Sequence, residues 1–326
     1  MKSKIGLLIL ILGLLAVPVS AMGQAKIIIT MGPMGGTMYP VGAAIAEMIT
    51  KNIPGTTATV TVGGSITNIE LVHKGERQMG HTTAELVRAA TTGGIDPFQQ
   101  PRNNIRALAK LQTMYFQMGI LNSVGIKSLA EVKEKKFPLR VCTNPRGNMV
   151  ELVLQRVLKE YGITYEDIKA WGGKVHFVSH SDSVSLVRDG HADAATMFTS
   201  VPAPAFTEIS LTRPLSIVSL KEDIVSKLCS QYGYARGVVP AGTYKGQDKD
   251  ALTLSAGIIL VVNSKLSDDL IYQIAKLMNS EDGRKKIGAI HADIAKEFTP
   301  DKAFKDLGGP LHPGAEKYYR EIGVLK

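Results

Sequence analysis

The hydrophobic pattern at the start of the chain predicts a strand, a glycine-rich loop and a helix in succession. Ile27 to Ile29 form an apolar β-branched run, which is typical of a buried strand. Gly32, Gly35 and Gly36 follow, and Pro40 suits the first turn of a helix. The helix itself is predicted from apolar residues at helical spacing: Val41, Ala44, Ile45, Met48 and Ile49. A loop of this kind leaves backbone N–H groups free beside a helix N-terminus, where an anion can bind.

The same unit recurs twice along the chain. Residues 58–62 predict a second strand, and Gly63, Gly64 and Ser65 follow it, with Ser65 expected to cap a helix over residues 66–74. Residues 139–143 predict another strand, and a loop over residues 144–148 leads into a helix over residues 149–161. Residues 71–80 also resemble residues 186–195, because each segment reads as a helix end, a glycine and a strand. Two similar α/β lobes are the simplest interpretation.

Two apolar runs, residues 115–121 and 256–262, lack the alternation of a half-exposed strand. They suit buried strands that cross from one lobe to the other, and we expect them to act as hinges. The predicted lobes are residues 22–121 with 257–326 and residues 122–256.

Residues 1–21 have the pattern of a secretory signal peptide. Lys2 and Lys4 precede the apolar residues 5–17, and small residues favour cleavage after about Ala21. A membrane anchor is the alternative, although the apolar run is short for a span of roughly 20 residues. Removal of the signal leaves 305 of the 326 residues, enough for two domains in an exported, periplasmic protein.

Charge and composition narrow the classes of partner. The formal net charge of +9 falls to +7 without Lys2 and Lys4, and a mild positive balance favours an anionic ligand. Aromatic residues make up only 6% of the chain and no Lys/Arg-rich run is present, so we expect no nucleic-acid partner. Cys142 and Cys229 fit either a disulfide or two free thiols, and their spacing gives no zinc motif. No metal or organic cofactor is expected.

Several of these segments together resemble the TAXI branch of the solute receptors of TRAP transporters. They are the loop over residues 32–39, Gly63-Gly64-Ser65 with Asn68, Arg146-Gly147, and the tail His312-Pro313-Gly314-Ala315 with Tyr318 and Tyr319. The resemblance covers the mature chain. It implies an α/β, two-lobed periplasmic-binding-protein-like fold of type II, with the ligand in the cleft between the lobes. It also implies a monomer that passes a small anionic ligand, such as glutamate, glutamine, a dicarboxylate or another organic acid, to membrane TRAP transporter subunits.

The resemblance also implies a set of ligand-binding residues in five loops: Gly35, Gly36, Thr37, Tyr39, Ser65, Asn68, Thr83, Arg146, Gly147, Asn148, Thr199, Ser200 and Pro202. Two positions depart from the family pattern. Thr83 stands where the family usually has glutamine, and Arg146 stands where it usually has a small residue. We expect Arg146 either to bind a ligand carboxylate or to point into solvent.

Other functions are weaker interpretations of the same residues. The chain has no Gly-x-Ser-x-Gly or His-Glu-x-x-His motif, which disfavours a secreted hydrolase and leads us to expect no enzyme activity. A ligand-sensing protein that acts on a membrane kinase would share the fold and differ only in its partner. His81 and His180 lie at or beside strand ends and are interpreted as structural.

Overall fold

The computed structural model describes residues 25–34 and 36–326. The predicted signal peptide and Gly35 therefore lie outside the described residues. Within the described part of the chain, no helix is both long enough and apolar enough to cross a membrane.

The described chain forms one sheet of ten strands, with both parallel and antiparallel neighbours. The strands are β1 (Ala25–Thr30), β2 (Thr56–Thr61), β3 (Met79–Thr83), β4 (Ile105–Leu121), β5 (Arg140–Thr143), β6 (Lys174–Phe177), β7 (Ala194–Thr199), β8 (Leu215–Ile217), β9 (Ala235–Val239) and β10 (Ala251–Asn263). Their order is β2-β1-β3-β10-β4-β7-β5-β6, while β8 pairs with β4 and β9 pairs with β10.

Helices connect and cover the strands. They are α1 (Met38–Asn52), α2 (Ser65–Lys74), α3 (Ala84–Thr92), α4 (Leu129–Glu134), α5 (Met149–Glu160), α6 (Tyr165–Ala170), α7 (His180–Arg188), α8 (Pro204–Thr212), α9 (Glu222–Tyr232), α10 (Asp268–Asn279), α11 (Glu281–Gly288), α12 (Ala292–Glu297) and α13 (Pro313–Glu321). Strand–helix alternation with parallel pairing is the pattern of βαβ units.

The sheet divides into two lobes around β4 and β10. Lobe 1 contains the parallel strands β1 to β3, and lobe 2 contains the parallel strands β5 to β7. β4 pairs with β10 as far as Tyr115 and with β7 from Tyr115 onward. β10 pairs with β9 up to Ser255 and with β3 from Ile258. The predicted two-lobed α/β fold with two crossing strands is therefore confirmed, whereas the lobe boundaries and the hinge role stay predictions.

The core joins the two lobes. One large apolar cluster extends through lobe 1, along the crossing strands and into lobe 2, where it includes Leu154 and Val157 of α5, and a smaller cluster lies in lobe 2 around Phe206. β1 contributes Ile27 and Ile29, which lie on the same face of the strand and have no exposed surface. At the other end of the chain, Tyr319 of α13 is fully buried, and its hydroxyl donates to the carbonyl of Leu108 at 3.4 Å.

Some local predictions were wrong. Ser65 does not cap α2 but is its first residue, and Gly64 takes the cap position without a side-chain hydrogen bond. The cap of α7, which the sequence analysis did not identify, is Ser179, whose hydroxyl accepts the N–H of Asp182. The strand predicted over residues 115–121 begins earlier, because this run is the second part of the long strand β4 (Ile105–Leu121).

We predict that Gly308→Ala destabilises the protein far more than Gly125→Ala. Both glycines have positive φ, at 77° and 74°, so each alanine carries a backbone penalty of roughly 1 kcal/mol. A Cβ at Gly308 would also overlap the carbonyl oxygen of Ala84, whereas a Cβ at Gly125 would meet nothing within 4 Å. Overlap with the backbone adds about 1–3 kcal/mol. Urea unfolding measures both losses, and equal losses would show that the loop at Gly308 moves freely away from α3.

Candidate functional site

A cavity of about 40 Å³ lies between the lobes, at the carboxyl ends of the parallel strands. Backbone of the first loop lines it at Gly32, Pro33 and Gly36. Its polar side chains are Thr37, Ser65, His81, Thr83, Asn144, Asn148, His180 and Thr199, and its apolar side chains are Met38, Met114, Met149, Val150, Phe198 and Ile258. Both lobes contribute to each set.

Five helices begin at this cavity. Thr37 precedes α1, Thr83 precedes α3 and Asn148 precedes α5, while Ser65 and His180 are the first residues of α2 and α7. The first turn of a helix leaves backbone N–H groups without intrahelical partners and carries a partial positive charge. The convergence of five such ends gives the cavity a positive potential from the backbone alone.

Among residues 25–34 and 36–326, no lysine, arginine, aspartate or glutamate lines the cavity. A bound anion would therefore be held by backbone N–H groups and neutral side chains. Such a site accommodates one negative charge, because a second carboxylate in the cavity would be desolvated without a counter-charge.

The lobes touch beside the cavity through one glycine carbonyl. The oxygen of Gly147, in lobe 2, accepts from the backbone N–H groups of Ile66 and Thr67 at 3.3 and 3.4 Å, at the start of α2 in lobe 1. Thr83 and Met149 also meet across the cavity, with 3.8 Å between Oγ1 and Sδ. The cavity is therefore enclosed by contacts between the lobes.

The structure brings part of the predicted site together. The predicted residues that line the cavity are Gly36, Thr37, Ser65, Thr83, Asn148 and Thr199, and Gly147 lies at the contact between the lobes. The described lining does not include Tyr39, Asn68, Arg146, Ser200 or Pro202. Tyr39 lies in the first turn of α1, and Pro202 is exposed.

Asn68 does not line the cavity but hydrogen-bonds with neighbouring residues of lobe 1. Its Nδ2 donates to the carbonyl oxygens of His81 and Met31 at 2.8 and 3.3 Å, and its Oδ1 accepts from the hydroxyl of Thr30 at 2.7 Å. These bonds tie α2 to β1 and β3. Because the amide is fully used within lobe 1, the predicted ligand contact of Asn68 is not part of this arrangement.

Arg146 and Ser200 also lie away from the cavity. Arg146 is exposed, its guanidinium lies 5.6 Å from the ring centre of Phe177, and it faces an outer groove. Of the two orientations expected from the sequence, the structure has the outward one. Ser200 is buried at the crossing strands, where its carbonyl accepts from Nε2 of Gln117 at 3.0 Å.

His81 of lobe 1 and His180 of lobe 2 both line the cavity, although the sequence interpretation treated them as structural. Burial lowers the pKa of each to about 4, so both are neutral at neutral pH. Nδ1 of His81 lies 3.2 Å from Nδ2 of Asn68, whereas Nε2 of His180 has no hydrogen-bond partner in the described chain. The sequence contained a signal for His81. Residues two apart on a strand share a face, so a Thr83 that faces the cavity implies a His81 that faces it too.

Glu85 lies directly behind the lining. Its carboxylate accepts from the hydroxyl of Thr83, and its Oε2 has no partner among the described residues. Burial raises the pKa of Glu85 to about 7, and the Thr83 hydrogen bond partly offsets this. The group adds a negative charge close to the cavity only when it ionises.

We predict that His180→Gln reduces the loss of stability on acidification. The pKa of His180 is lower in the folded than in the unfolded protein, so its contribution is complete above pH 6.5 and is lost as the pH falls towards 4. Between pH 7.5 and pH 5 that loss amounts to about 2 kcal/mol. Urea unfolding at both pH values measures it for the wild type and the variant.

His191→Gln is the matched control, since His191 is exposed. It should leave the difference between the two pH values unchanged. Equal pH dependence of wild type and His180→Gln would mean that His180 is solvated and does not face a closed cavity.

Comparison with known proteins agrees with this architecture. The chain matches the NMT1-like family over residues 29–323. Similar solved structures include the binding-protein component of an ABC phosphonate transporter from Pseudomonas aeruginosa (10% identity, TM-score 0.52, 83% of this chain and 80% of that one). Another is a putative phosphate ABC transporter substrate-binding protein from Clostridium perfringens (12% identity, TM-score 0.49, 81% of this chain and 98% of that one). A third is the periplasmic aliphatic sulphonate binding protein from Escherichia coli (12% identity, TM-score 0.42, 90% of this chain and 78% of that one). The chain therefore belongs to the NMT1-like family and has the two-lobed fold of periplasmic solute-binding proteins.

Proposed function

We propose that this protein is the extracytoplasmic solute receptor of a TRAP-type transporter and binds a small carboxylate between its lobes. The observation that carries the proposal is the convergence of five helix N-termini, from both lobes, on one enclosed cavity. The NMT1-like family and the two-lobed fold support a solute-binding role. The TRAP assignment rests on the TAXI-like segments of the sequence, and export rests on the signal-like residues 1–21.

A carboxylate suits the chemistry of this cavity. Its oxygens accept hydrogen bonds from backbone N–H groups at the helix ends and gain from the helix dipoles. The hydroxyl of Ser65 is buried in the lining and makes no hydrogen bond to another described residue, so it is free to donate to the ligand. We assign the hydroxyl of Ser65, the first residue of α2, as one half of the carboxylate site.

Ligand binding and lobe closure are one step in this proposal. A ligand that contacts α1, α2 and α3 of lobe 1 and α5 and α7 of lobe 2 has all its contacts only when the lobes meet, so it favours the closed state. β4 and β10 then serve as the hinge, since each changes its pairing partner between the lobes. The closed surface is what the membrane subunits would recognise.

We predict that Ser65→Ala weakens acid binding about tenfold, whereas Arg146→Ala changes it less than twofold. A hydrogen bond to a charged acceptor contributes about 1.5–3 kcal/mol, and Arg146 points away from the cavity. Thermal unfolding of residues 22–326 with a panel of amino acids and mono- and dicarboxylates identifies the acid. A hundredfold excess over Kd stabilises the fold by roughly 2.7 kcal/mol.

Two results would contradict the proposal. Loss of binding in Arg146→Ala with normal binding in Ser65→Ala would place the acid in the outer groove. If no acid shifts the melting temperature, mass spectrometry of a denatured extract shows whether a ligand was already bound, and an extract without any acid would refute a carboxylate receptor.

A further inference from the structure

We propose that the ligand carries a hydrogen-bond donor beside its carboxylate and a short apolar side chain, as a small 2-amino or 2-hydroxy acid does. This inference rests on the proposed receptor function and narrows its substrate class. It sets the ligand apart from glutamate and from dicarboxylates, which bear a second charged group. The evidence comes from hydrogen-bonding atoms of lobe 2 that lack partners, and from the apolar part of the lining.

Asn144 presents an acceptor that needs a donor. The residue follows β5, is 1% exposed and lines the cavity. Its Nδ2 donates to the carbonyl of Val178 at 3.0 Å, which determines the orientation of the amide. Its Oδ1 accepts no hydrogen bond from any described residue. A buried acceptor without a partner costs about 1–3 kcal/mol, and a carboxylate oxygen cannot relieve that cost because it has no hydrogen to donate.

His180 offers a second unpartnered atom in the same lobe. Its ring is 6% exposed, lines the cavity and leaves Nε2 without a hydrogen bond in the described chain. A neutral imidazole has one donor and one acceptor nitrogen. The ring can therefore donate to the carboxylate or accept from the donor group, and a ligand with both functions side by side serves Asn144 and His180 together.

The remaining lining suits an apolar side chain. Met38 and Ile258 from lobe 1 and the crossing strands, and Met149 and Phe198 from lobe 2, surround the cavity. No charged residue of the described chain lines it, so a side-chain carboxylate or ammonium would lose its hydration without gaining a counter-charge. Ionised Glu85, behind Thr83, would repel a second carboxylate further.

The size of the cavity also favours a small ligand. At about 40 Å³ the cavity is small beside the roughly 300–1,000 Å³ of pockets that hold drug-sized ligands, so it suits a molecule of a few carbons. A longer acid would force the lobes apart and break the contact between Gly147 and the start of α2.

Calorimetric titration with acids of one four-carbon skeleton tests the inference. The series is L-2-aminobutyrate, L-2-hydroxybutyrate, butyrate and succinate, with L-glutamate as the longer acid. We expect the better of the first two to bind at least tenfold more tightly than butyrate, succinate or glutamate. Comparison of the amino and hydroxy acids shows which donor the site prefers.

Asn144→Leu provides the variant test, because leucine has a similar volume and no acceptor. It should lower the affinity for the donor-bearing acid to that of the wild type for butyrate, and thermal unfolding without ligand shows whether the variant is folded. The wild-type series stands without the variant, so a variant that fails to fold does not affect the test.

The other outcomes of the titration distinguish failure of this inference from failure of the proposed receptor function. Tightest binding of succinate or glutamate refutes the inference and leaves the receptor function standing, as does equal binding of butyrate and the donor-bearing acids. Binding of none of the five, together with a denatured extract that contains no acid, refutes receptor and inference alike. An acid found in the extract is judged by the same criterion: a donor beside the carboxylate and no charged side chain.

Discussion

The unpaired N–H groups at helix N-termini are the constraint on which this structure depends. In a parallel α/β arrangement each helix starts where a strand ends, so helix starts gather along one edge of the sheet. Here the two lobes turn those edges toward each other, and five helices start around one cavity. Buried N–H groups need acceptors, and an anion supplies several at once. In the proposed function, the glycine-rich loops let the backbone approach the anionic ligand closely.

The N–H groups at the start of α2 take part in the contact between the two lobes. The carbonyl of Gly147 from lobe 2 occupies two N–H groups at the start of α2, which would otherwise face solvent or the ligand. Gly147 has φ of 85°, a conformation that favours glycine, so the loop residue that turns this carbonyl toward lobe 1 cannot readily be replaced. In the proposed function, closure uses these two N–H groups and the ligand uses those at the other helix starts, so both depend on the same kind of hydrogen-bond donor.

The sequence was sufficient for the backbone of the site and insufficient for its side chains. Strand, glycine loop and helix could be predicted because local patterns determine them, and six predicted residues line the cavity. The outward direction of Arg146 depends on Phe177, which is distant in sequence. The ligand contact of Asn68 stays a prediction, since in the structure its amide hydrogen-bonds with Thr30, Met31 and His81, contacts that exist only after β1 and β3 pair. Asn144 and His180 carry no motif, and only their missing partners reveal them.

The central claim is that a carboxylate lies between the lobes and is held by helix N-termini without an arginine. A crystal structure of residues 22–326 with the tightest-binding acid tests it most directly. The account predicts that the carboxylate lies within hydrogen-bond distance of Ser65 and of the backbone N–H groups that begin the helices around it, with the donor group of the acid beside Oδ1 of Asn144. An acid bound in the outer groove against Arg146, with the cleft free of ligand, would contradict it.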